Sequence, residues 1–570
     1  MKIKISFLSL VLISLISVSC QESESTALTT SQLVQIDSLT AHWNQLGHPG
    51  GAIAILKEGK VIYKNALGYA DVSLSKKNTD KTGFQMGQIS DSFIAYALLH
   101  LEATSTLSLE DQLSIHLPFI SSLSTDIKVK HLLQQSSGIH DFEILKNIKG
   151  WGDQKPFSSK DALDLIKTQQ KVSFAPGTEF SPSRSNLFLA AHVIEMVSKE
   201  PFGDYLKNHI FEILKMYDSF VLTSTNQSDS MMAKSYQIVE DETVTVIPSR
   251  KETYAGVNIV SSIGDMIKWE QHLQSPNQEN RAVVDKFNSY VTLDSGKTYD
   301  VPVGRLTYGQ KYVHNERGIP TAMSTGGIDG FASAIFNFPT EKFTTITLSN
   351  NGEGYNGYIG MLSAHNLMPE AFTEPTTTDY SKIKTIPLNH EYHEKFEGMY
   401  WDALGEITRE IKIENDTLRY KRSNGYGSAL IPLSKNRFQL KTEFDDKIYL
   451  EFQEKNGNFG MQYFYGDATP FDFEKYTPKE IPEKELRDTY WGSYVSEQLV
   501  VTYTIEAKEN HLVASNGKTE PITFNYIKNN VFQGDKWFMG SIQFVKDLDG
   551  NVTGFYVKND LIRNLWFKKL

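Results

Sequence analysis

The chain has 570 residues, of which 40% are apolar and 22% charged, and its formal net charge is −11 at pH 7. A chain of this length is expected to fold into two to four domains, each with a sizeable core. Because phosphate binding needs a basic surface, the negative charge and the lack of a Lys/Arg stripe argue against nucleic acid as a partner.

The first 20 residues have the parts of an export signal. Lys2 and Lys4 precede an apolar run from Ile5 to Val18, which is shorter than the ~20 residues that a membrane-spanning helix needs. Small residues then lead to Cys20, the only cysteine, so no intramolecular disulfide is possible. The sequence therefore predicts export rather than a transmembrane anchor.

The leader is similar to a bacterial lipoprotein signal, which implies a signal peptide over residues 1–20 and lipidation of Cys20. We therefore expect a lipid anchor in the bacterial cell envelope, at the outer or the cytoplasmic membrane. The acidic stretch from Gln21 to Glu24 resembles that of surface-exported lipoproteins and favours the outer membrane. Cleavage by ordinary signal peptidase, with Cys20 unmodified, remains the alternative.

The polar residues 21–32 predict a tether, and a helical apolar pattern begins at Leu33. Two strand-like runs, Gly51–Leu56 and Lys60–Tyr69, flank a turn and predict a hairpin. The tetrapeptide Ser73-Leu74-Ser75-Lys76 matches Ser-x-x-Lys, but no helix follows it. We therefore interpret it as a solvated loop.

The stretch from Phe84 to Glu102 predicts a short strand that passes through Gly87 into a helix. We expect Ser90 or a close neighbour to cap this helix with its side-chain oxygen. A buried helix N-terminus offers free N–H groups and a dipole that favours an anion, which suits a nucleophile and its oxyanion. The stretch is therefore the first candidate for an active site.

Residues from Leu107 to Ser235 are mostly helical in pattern. His140 lies there, in the loop sequence SSGIHDF. It is a candidate base, but a lone histidine in a loop is more often a hydrogen-bonded structural residue, and we favour that interpretation.

Five segments between Pro49 and Gly352 resemble, in order, the serine β-lactamase and penicillin-binding-protein superfamily, in its β-lactamase-related serine hydrolase branch. They read PGGAIAILKEGKVIYKNALGYAD, HLLQQSSGIHDF, PGTEFS, YAGVNIVSSIGDMIKW and STGGIDGFASAIFNFP. The resemblance implies an α/β (α+β) β-lactamase-like domain over residues 33–372. Its antiparallel sheet would be flanked by helices and carry an all-helical subdomain.

The catalytic motifs of this family are degenerate in the chain. Where the family reads G-S-x-S-K-S-F, with a nucleophilic Ser and a Lys base, the chain has Gln88 and Asp91. The Y-S-N motif is Pro182-Ser183-Arg184, and H-T-G-G is Ser324-Thr325-Gly326-Gly327. By resemblance, only the oxyanion hole would remain, formed by the backbone N–H groups of Gln88 and Gly327. No catalytic residue is therefore expected to be intact.

These departures predict a pseudoenzyme whose former active-site cleft binds a peptide, a cell-wall fragment or a partner, without a metal or a cofactor. The expected cleft residues are Gln88, Asp91, Arg184, Ser324 and Gly327. Because the Lys and Asn of the family meet around the nucleophile, we expect Asp91 and Arg184 to form an ion pair, so that removing Asp91 would cost about 3 kcal/mol.

Two other functions remain open. One is a hydrolase, such as an esterase, a peptidase or a β-lactamase-like enzyme, with a rearranged mechanism in which Asp91 activates water. The other is a structural or interaction protein that acts through its C-terminal β-domains. A cleft closed by bulky side chains would favour the second of these, and an open polar cleft would favour ligand binding.

Residues 373–389 are rich in Pro and Thr and predict a linker. Behind it lies an internal repeat, with Gly398-Met399-Tyr400 matching Gly492-Ser493-Tyr494. We predict two all-β domains over residues 390–478 and 483–570, each a small barrel. They resemble the lipocalin-like domains often found behind this hydrolase domain. Their aromatic residues are expected to fill the barrels, with ligand binding as the alternative.

Overall fold

We describe a computed structural model of the chain. It describes residues 28–151, 157–222, 231–239, 243–247, 258–352, 356–374, 378–422, 425–442, 447–455, 457–466, 468–559 and 561–570. Cys20, the acidic stretch behind it and Tyr254–Val257 of the fourth family-like segment lie outside the described residues.

An eight-stranded antiparallel sheet forms the centre of the first domain, in the order β10-β11-β12-β13-β14-β15-β1-β2. The strands of this domain, including those of its smaller sheets, are β1 Gly51–Lys57, β2 Lys60–Leu67, β3 Tyr69–Asp71, β4 Lys76–Lys77, β5 Phe84–Gln85, β6 Phe220–Val221, β7 Tyr236–Val239, β8 Thr243–Val246, β9 Ile259–Ser261, β10 Asp300–Val301, β11 Gly304–Leu306, β12 Tyr312–Glu316, β13 Ile319–Ile328, β14 Phe331–Phe338 and β15 Phe343–Ser349. The predicted hairpin is β1–β2.

Helices cover both faces of this sheet. Their bounds, with two short helices of the C-terminal region, are α1 Thr30–Leu39, α2 Ser90–Ala103, α3 Leu113–His116, α4 Val129–Leu133, α5 Phe142–Ile148, α6 Ser159–Lys167, α7 Arg184–Ser198, α8 Phe202–Leu206, α9 Ile263–Gln274, α10 Arg281–Phe287, α11 Asn356–Leu367, α12 His390–His393 and α13 Glu483–Tyr490. Alternate residues of β1 face different cores: Ala52 and Ala54 share one with α2, while Ile53 and Ile55 pack with α1 and α11. Helices α3 to α8 form the predicted helical subdomain.

Two closed eight-stranded barrels follow, which confirms the predicted fold class. The strands of barrel 1 are β16 Gly398–Asp402, β17 Ile407–Glu414, β18 Thr417–Arg422, β19 Gly427–Pro432, β20 Arg437–Leu440, β21 Ile448–Lys455, β22 Asn458–Tyr465 and β23 Phe471–Tyr476. Those of barrel 2 are β24 Gly492–Ser496, β25 Val501–Lys508, β26 His511–Ser515, β27 Ile522–Lys528, β28 Val531–Gly534, β29 Ser541–Lys546, β30 Val552–Lys558 and β31 Leu565–Lys569.

Barrel 2 packs against the helical subdomain, whereas barrel 1 has a core of its own. The Tyr503 hydroxyl donates to the carbonyl oxygen of Ile148 at 2.9 Å, and Arg563 Nη1 lies 2.7 Å from Glu179 Oε2. Barrel 2 is therefore docked on the first domain, although it is the last domain in the chain. Among the described residues, no helix is long and apolar enough to cross a membrane.

Candidate ligand-binding cleft

The chain enters α2 through a tight turn. After β5 comes a 3-10 turn, Gly87–Ile89, and α2 begins at Ser90. Gly87 has φ +53°, and a Cβ there would lie 2.7 Å from the nitrogen of Gly327, so only glycine lets the turn press this closely against β13. The glycine thus brings the start of α2 and strand β13 together.

The expected cap by Ser90 is wrong. Ile89 precedes the helix and makes no side-chain cap, while Ser90 Oγ instead accepts a hydrogen bond from Ile259 N at 3.4 Å. Ser92 Oγ donates to the carbonyl oxygen of Gly309 at 2.8 Å, and both serines are buried. Their hydroxyls are held by distant backbone, so neither takes the place of the nucleophile.

The side chain of Gln88 occupies the oxyanion hole that the resemblance implied. Its Oε1 accepts a hydrogen bond from the backbone N–H of Gly327 at 2.9 Å. In acyl transfer such an N–H must donate to the oxyanion. The Gln88 amide oxygen therefore stands where the oxygen of a reacting carbonyl would be held.

A cavity of about 370 Å³ lies between the start of α2, the start of α7 and β13. Its lining residues are Gln88, Asp91, Gln135, Asp141, Pro182, Ser183, Arg184, Leu187, Leu306, Gln310, Tyr312, Met323, Ser324, Thr325 and Leu561. The structure thus brings the replaced motif positions together, with Gly327 behind Gln88. The cleft is not closed over by bulky side chains. Most of its lining residues have polar side chains, but the surface they present to the cavity is mainly apolar.

Asp91 titrates abnormally. Burial raises the pKa of its carboxyl from 3.8 to about 7, and the charge of Arg184 lowers it only in part. Asp91 and Arg184 are not joined by a salt bridge within 4.0 Å, judged on the residues described here. The expected ion pair is therefore wrong. Arg184 attracts the Asp91 carboxylate only from a distance, desolvation outweighs that attraction, and the predicted loss of stability on removing Asp91 does not follow.

The loop of the second motif is held by the first turn of α7. Ser183 Oγ accepts from Ser185 N at 3.2 Å, and Gln135 Oε1 accepts from Ser183 N at 3.0 Å. Asp141 Oδ2 accepts from the backbone N–H of Arg184 at 2.7 Å, and the same carboxylate caps α5. These hydrogen bonds fix the backbone of Arg184, and its side chain lines the cavity and is exposed to solvent.

Ser324 stands where the family has His or Lys. Its Oγ is buried and has no hydrogen-bond partner among the described residues, although the residue lines the cavity. A buried hydroxyl without a partner is costly. A ligand that reached the cavity floor would offer it one.

His140 does not belong to the cleft. It is buried, and burial lowers the pKa of its ring to about 4, with the Arg563 backbone raising it in small part. The neutral ring packs between the helical subdomain and barrel 2. The buried position agrees with a structural residue and not with a base. The expected hydrogen bonds are not seen, because neither ring nitrogen has a hydrogen-bond partner within 3.5 Å among the described residues.

Several lining residues were missed from the sequence. Tyr312 lies on β12, and burial together with the charge of Asp91 raises the pKa of its hydroxyl. Gln135 and Gln310 join opposite walls through a hydrogen bond of 3.1 Å. Leu561 comes from barrel 2. No local signal in the sequence indicates Tyr312 or Leu561.

The family model described as Beta-lactamase matches residues 36–359. The chain therefore belongs to the beta-lactamase family, which includes penicillin-binding-protein-like members. This confirms the resemblance from the motifs.

Two relatives and one solved structure describe the extent of the similarity. The chain is 25% identical over 303 residues to a D-aminopeptidase of Brucella anthropi, which covers 53% of this chain and 56% of that protein. It is 23% identical over 406 residues to penicillin-binding protein 4* of Bacillus subtilis, covering 69% and 88%. The octameric penicillin-binding protein homologue from Pyrococcus abyssi shares the fold, with a TM-score of 0.52, 21% identity, and coverage of 78% of this chain and 99% of that chain.

Proposed function

We propose that this protein is a pseudoenzyme of the beta-lactamase family, whose cleft binds a ligand without acyl transfer. The observation that carries the proposal is the hydrogen bond of 2.9 Å from Gly327 N–H to Gln88 Oε1. The residue that replaces the nucleophile offers no hydroxyl, and its amide oxygen also fills the oxyanion hole. One substitution thus removes two of the three parts that acyl transfer needs.

The third part, the base, is also changed. Asp91 stands at the lysine position and Pro182 at the tyrosine position, so both of the bases that the family motifs would supply are absent. Nucleophile and base act as a unit, and losing them together removes most of a ~10⁶-fold acceleration. The cavity nevertheless remains open, which favours a function in binding.

The chemistry of the lining favours a peptide or a cell-wall fragment. Arg184 places a guanidinium at the cavity wall, where it suits a carboxylate, and the Ser324 hydroxyl has no hydrogen-bond partner among the described residues. The names of two relatives, a D-aminopeptidase and a penicillin-binding protein, point to peptides and to penicillin. For this chain we propose that the cleft binds such a peptide or cell-wall fragment without cleaving it.

Intact-mass spectrometry after incubation with benzylpenicillin and with a fluorophosphonate tests the loss of chemistry. We expect no adduct on the folded wild type, and none on Gln88→Ala. A stoichiometric adduct on the wild type that maps to a peptide of the cleft would overturn the proposal. Heat-denatured protein serves as the control for nonspecific labelling.

A rearranged hydrolase is the second candidate, and the pKa of Asp91 favours it. A carboxyl that titrates at about 7 is suited to general base catalysis near neutral pH. This mechanism requires the hydrogen bond from Gly327 N–H to Gln88 Oε1 to break, so that the N–H can stabilise the oxyanion. It therefore predicts that Gln88→Ala speeds the hydrolysis of an activated ester such as p-nitrophenyl acetate, and that Asp91→Asn abolishes it. Equal background rates in both variants and in the wild type would exclude this candidate.

We further propose that the protein is anchored in the cell envelope through a lipid on Cys20, with the outer membrane favoured. Support comes from the leader sequence, since Cys20 ends a signal with lysines and an apolar run. Labelling of a producing bacterium with a palmitate analogue should tag the wild type and not Cys20→Ala. Equal labelling of both would refute the assignment.

A further inference from the structure

Barrel 1 presents charged residues to its interior at one end. Directly opposed residues of an antiparallel pair lie on the same face. Tyr400 is 0% exposed and lies inside the barrel; Arg409 is opposite Tyr400, and Arg422 is opposite Arg409. Asp402, two residues after Tyr400, shares that face. Two arginines and an aspartate therefore face inward at the end of the barrel where β16 and β18 finish.

Two tyrosines complete this group. Arg409 Nε donates to the Tyr420 hydroxyl at 2.6 Å, and the rings of Tyr420 and Tyr463 lie 5.8 Å apart. The charges of Arg409 and Arg422 both lower the pKa of each tyrosine, against the larger effect of burial. We call Asp402, Arg409, Tyr420, Arg422 and Tyr463 the mouth cluster. Its arginine Arg422 is exposed, so solvent reaches the cluster.

Asp402 lacks a partner within the cluster. The residue is 3% exposed, and its Oδ1 accepts the N–H of Leu404 at 3.0 Å. Its Oδ2 is buried without a hydrogen-bond partner among the described residues. Burial raises the pKa of this carboxyl, and the charge of Asp472 adds to the rise, whereas the N–H groups of Leu404 and Gly405 and the charge of Arg409 lower the pKa. The guanidiniums and the Tyr463 hydroxyl are the hydrogen-bond donors at the mouth, and the Asp402 carboxylate places a negative charge beside them.

Barrel 2 has the same eight-stranded fold as barrel 1 and lacks these charges, so the fold itself does not require them. At the corresponding positions it has Ser496, Tyr503 and Asn516 in place of Asp402, Arg409 and Arg422. Asn516 Nδ2 donates to the Tyr503 hydroxyl at 3.0 Å, and that hydroxyl donates to Ile148 of the first domain. The same end is thus neutral in barrel 2. In barrel 1 it carries two arginines, of which Arg422 is exposed, although the loop after Asp402 contacts barrel 2, where Gln533 Nε2 donates to the carbonyl oxygen of Glu406 at 2.6 Å.

The deeper interior of barrel 1 is filled. Phe396, Phe438 and Phe452 are all 0% exposed, and the rings of Phe396 and Phe452 stack at 4.3 Å. An eight-stranded barrel is only wide enough for such side chains, so a long acyl chain has no room. A ligand of the mouth cluster must therefore be small or hold only one group there.

We propose that the mouth of barrel 1 is a binding site for the carboxylate or phosphate of a small soluble anion. The planar fork of Arg422 matches the oxygens of such a group, and Tyr463 adds a hydroxyl donor. Arg409, whose Nε and Nη1 donate to the Tyr420 hydroxyl and the Thr408 carbonyl oxygen, contributes its positive charge. The site is separate from the cleft of the first domain and does not depend on the function proposed for it.

Isothermal titration of the full exported chain with succinate and with inorganic phosphate, at constant ionic strength, tests this site. We expect one anion per chain. Arg422→Gln should weaken binding by about tenfold or more, because a charge-assisted hydrogen bond is lost. Asp402→Asn should tighten binding severalfold, because it removes a negative charge beside the anion and keeps a side-chain oxygen that accepts the Leu404 N–H. Circular dichroism verifies that the variants are folded.

Arg419→Gln is the matched control. Arg419 precedes Tyr420 on β18, faces outward and lies 3.6 Å from Glu414. Its loss should leave the affinity unchanged. Equal weakening by Arg419→Gln and Arg422→Gln would show a general surface effect and overturn the site. Adsorption to phosphatidylglycerol vesicles without solution binding of either anion would also overturn it.

Discussion

Replacing Asp91 by Asn should stabilise the protein at neutral pH. The Asp91 carboxyl has a pKa of about 7 in the folded protein, against the ordinary value of 3.8 that it would have in the unfolded chain. Since the folded state holds the proton more tightly, stability falls as pH rises from about 4 to about 7, and the loss is complete above that range. Each unit of pKa is ~1.4 kcal/mol, so the ionised Asp91 costs about 4 kcal/mol of unfolding free energy at pH 7.5.

Urea unfolding of the wild type and Asp91→Asn at pH 4, 5.5 and 7.5 measures this cost. The variant should match the wild type at pH 4 and exceed it by about 4 kcal/mol at pH 7.5. Arg184→Gln supplies the control: removing the cation raises the pKa of Asp91 further, so it destabilises the wild type at pH 7.5 but not the Asp91→Asn background. A pH-independent difference, or an Asn variant that is less stable at pH 7.5, would refute the reasoning.

Two further predictions concern the core and the domain arrangement. Lys311 and Glu270 form a buried pair at 3.5 Å, with side chains 5% and 1% exposed, so Lys311→Met should cost about 3 kcal/mol by stranding the carboxylate. The double variant Lys311→Met/Glu270→Gln should recover part of this in urea unfolding, and strictly additive losses would contradict the pairing. Limited proteolysis should cut first in the linker between Thr373 and Asp379, and the fragments should co-elute because barrel 2 stays docked through Tyr503 and Arg563. Early cutting within a barrel, or separation of the fragments in native buffer, would contradict this arrangement.

The sheet hairpin, the entry into α2 and the repeated barrels could be predicted from the sequence, because local patterns encode them. The strand-like runs on both sides of the turn at Glu58 predict β1 and β2. Matched glycine and aromatic positions in the two C-terminal domains reveal the repeat of the barrels. The motifs also indicated which side chains meet in the cleft, since the fold of the family places them there.

The energetics of the cleft could not be predicted in the same way. The proximity of Arg184 to Asp91 follows from the motifs, but the desolvation that dominates the pKa of Asp91 depends on how the residues around it pack. The hydrogen bond from Gly327 to Gln88 joins residues 239 positions apart, and its acceptor is a side chain that the family lacks. Leu561 reaches the cleft only because barrel 2 docks on the helical subdomain. Such contacts are set by tertiary packing, which no local pattern encodes.

The most direct test of the central claim is equilibrium dialysis against soluble fragments released from peptidoglycan by a muramidase, with mass spectrometry of both chambers. If the cleft binds without chemistry, the wild type retains fragments of unchanged mass, Arg184→Glu does not, and Arg281→Glu, which reverses an exposed charge on α10, behaves like the wild type. Fragments that are shortened by the wild type and left intact by Asp91→Asn would contradict the claim and identify the protein as an enzyme.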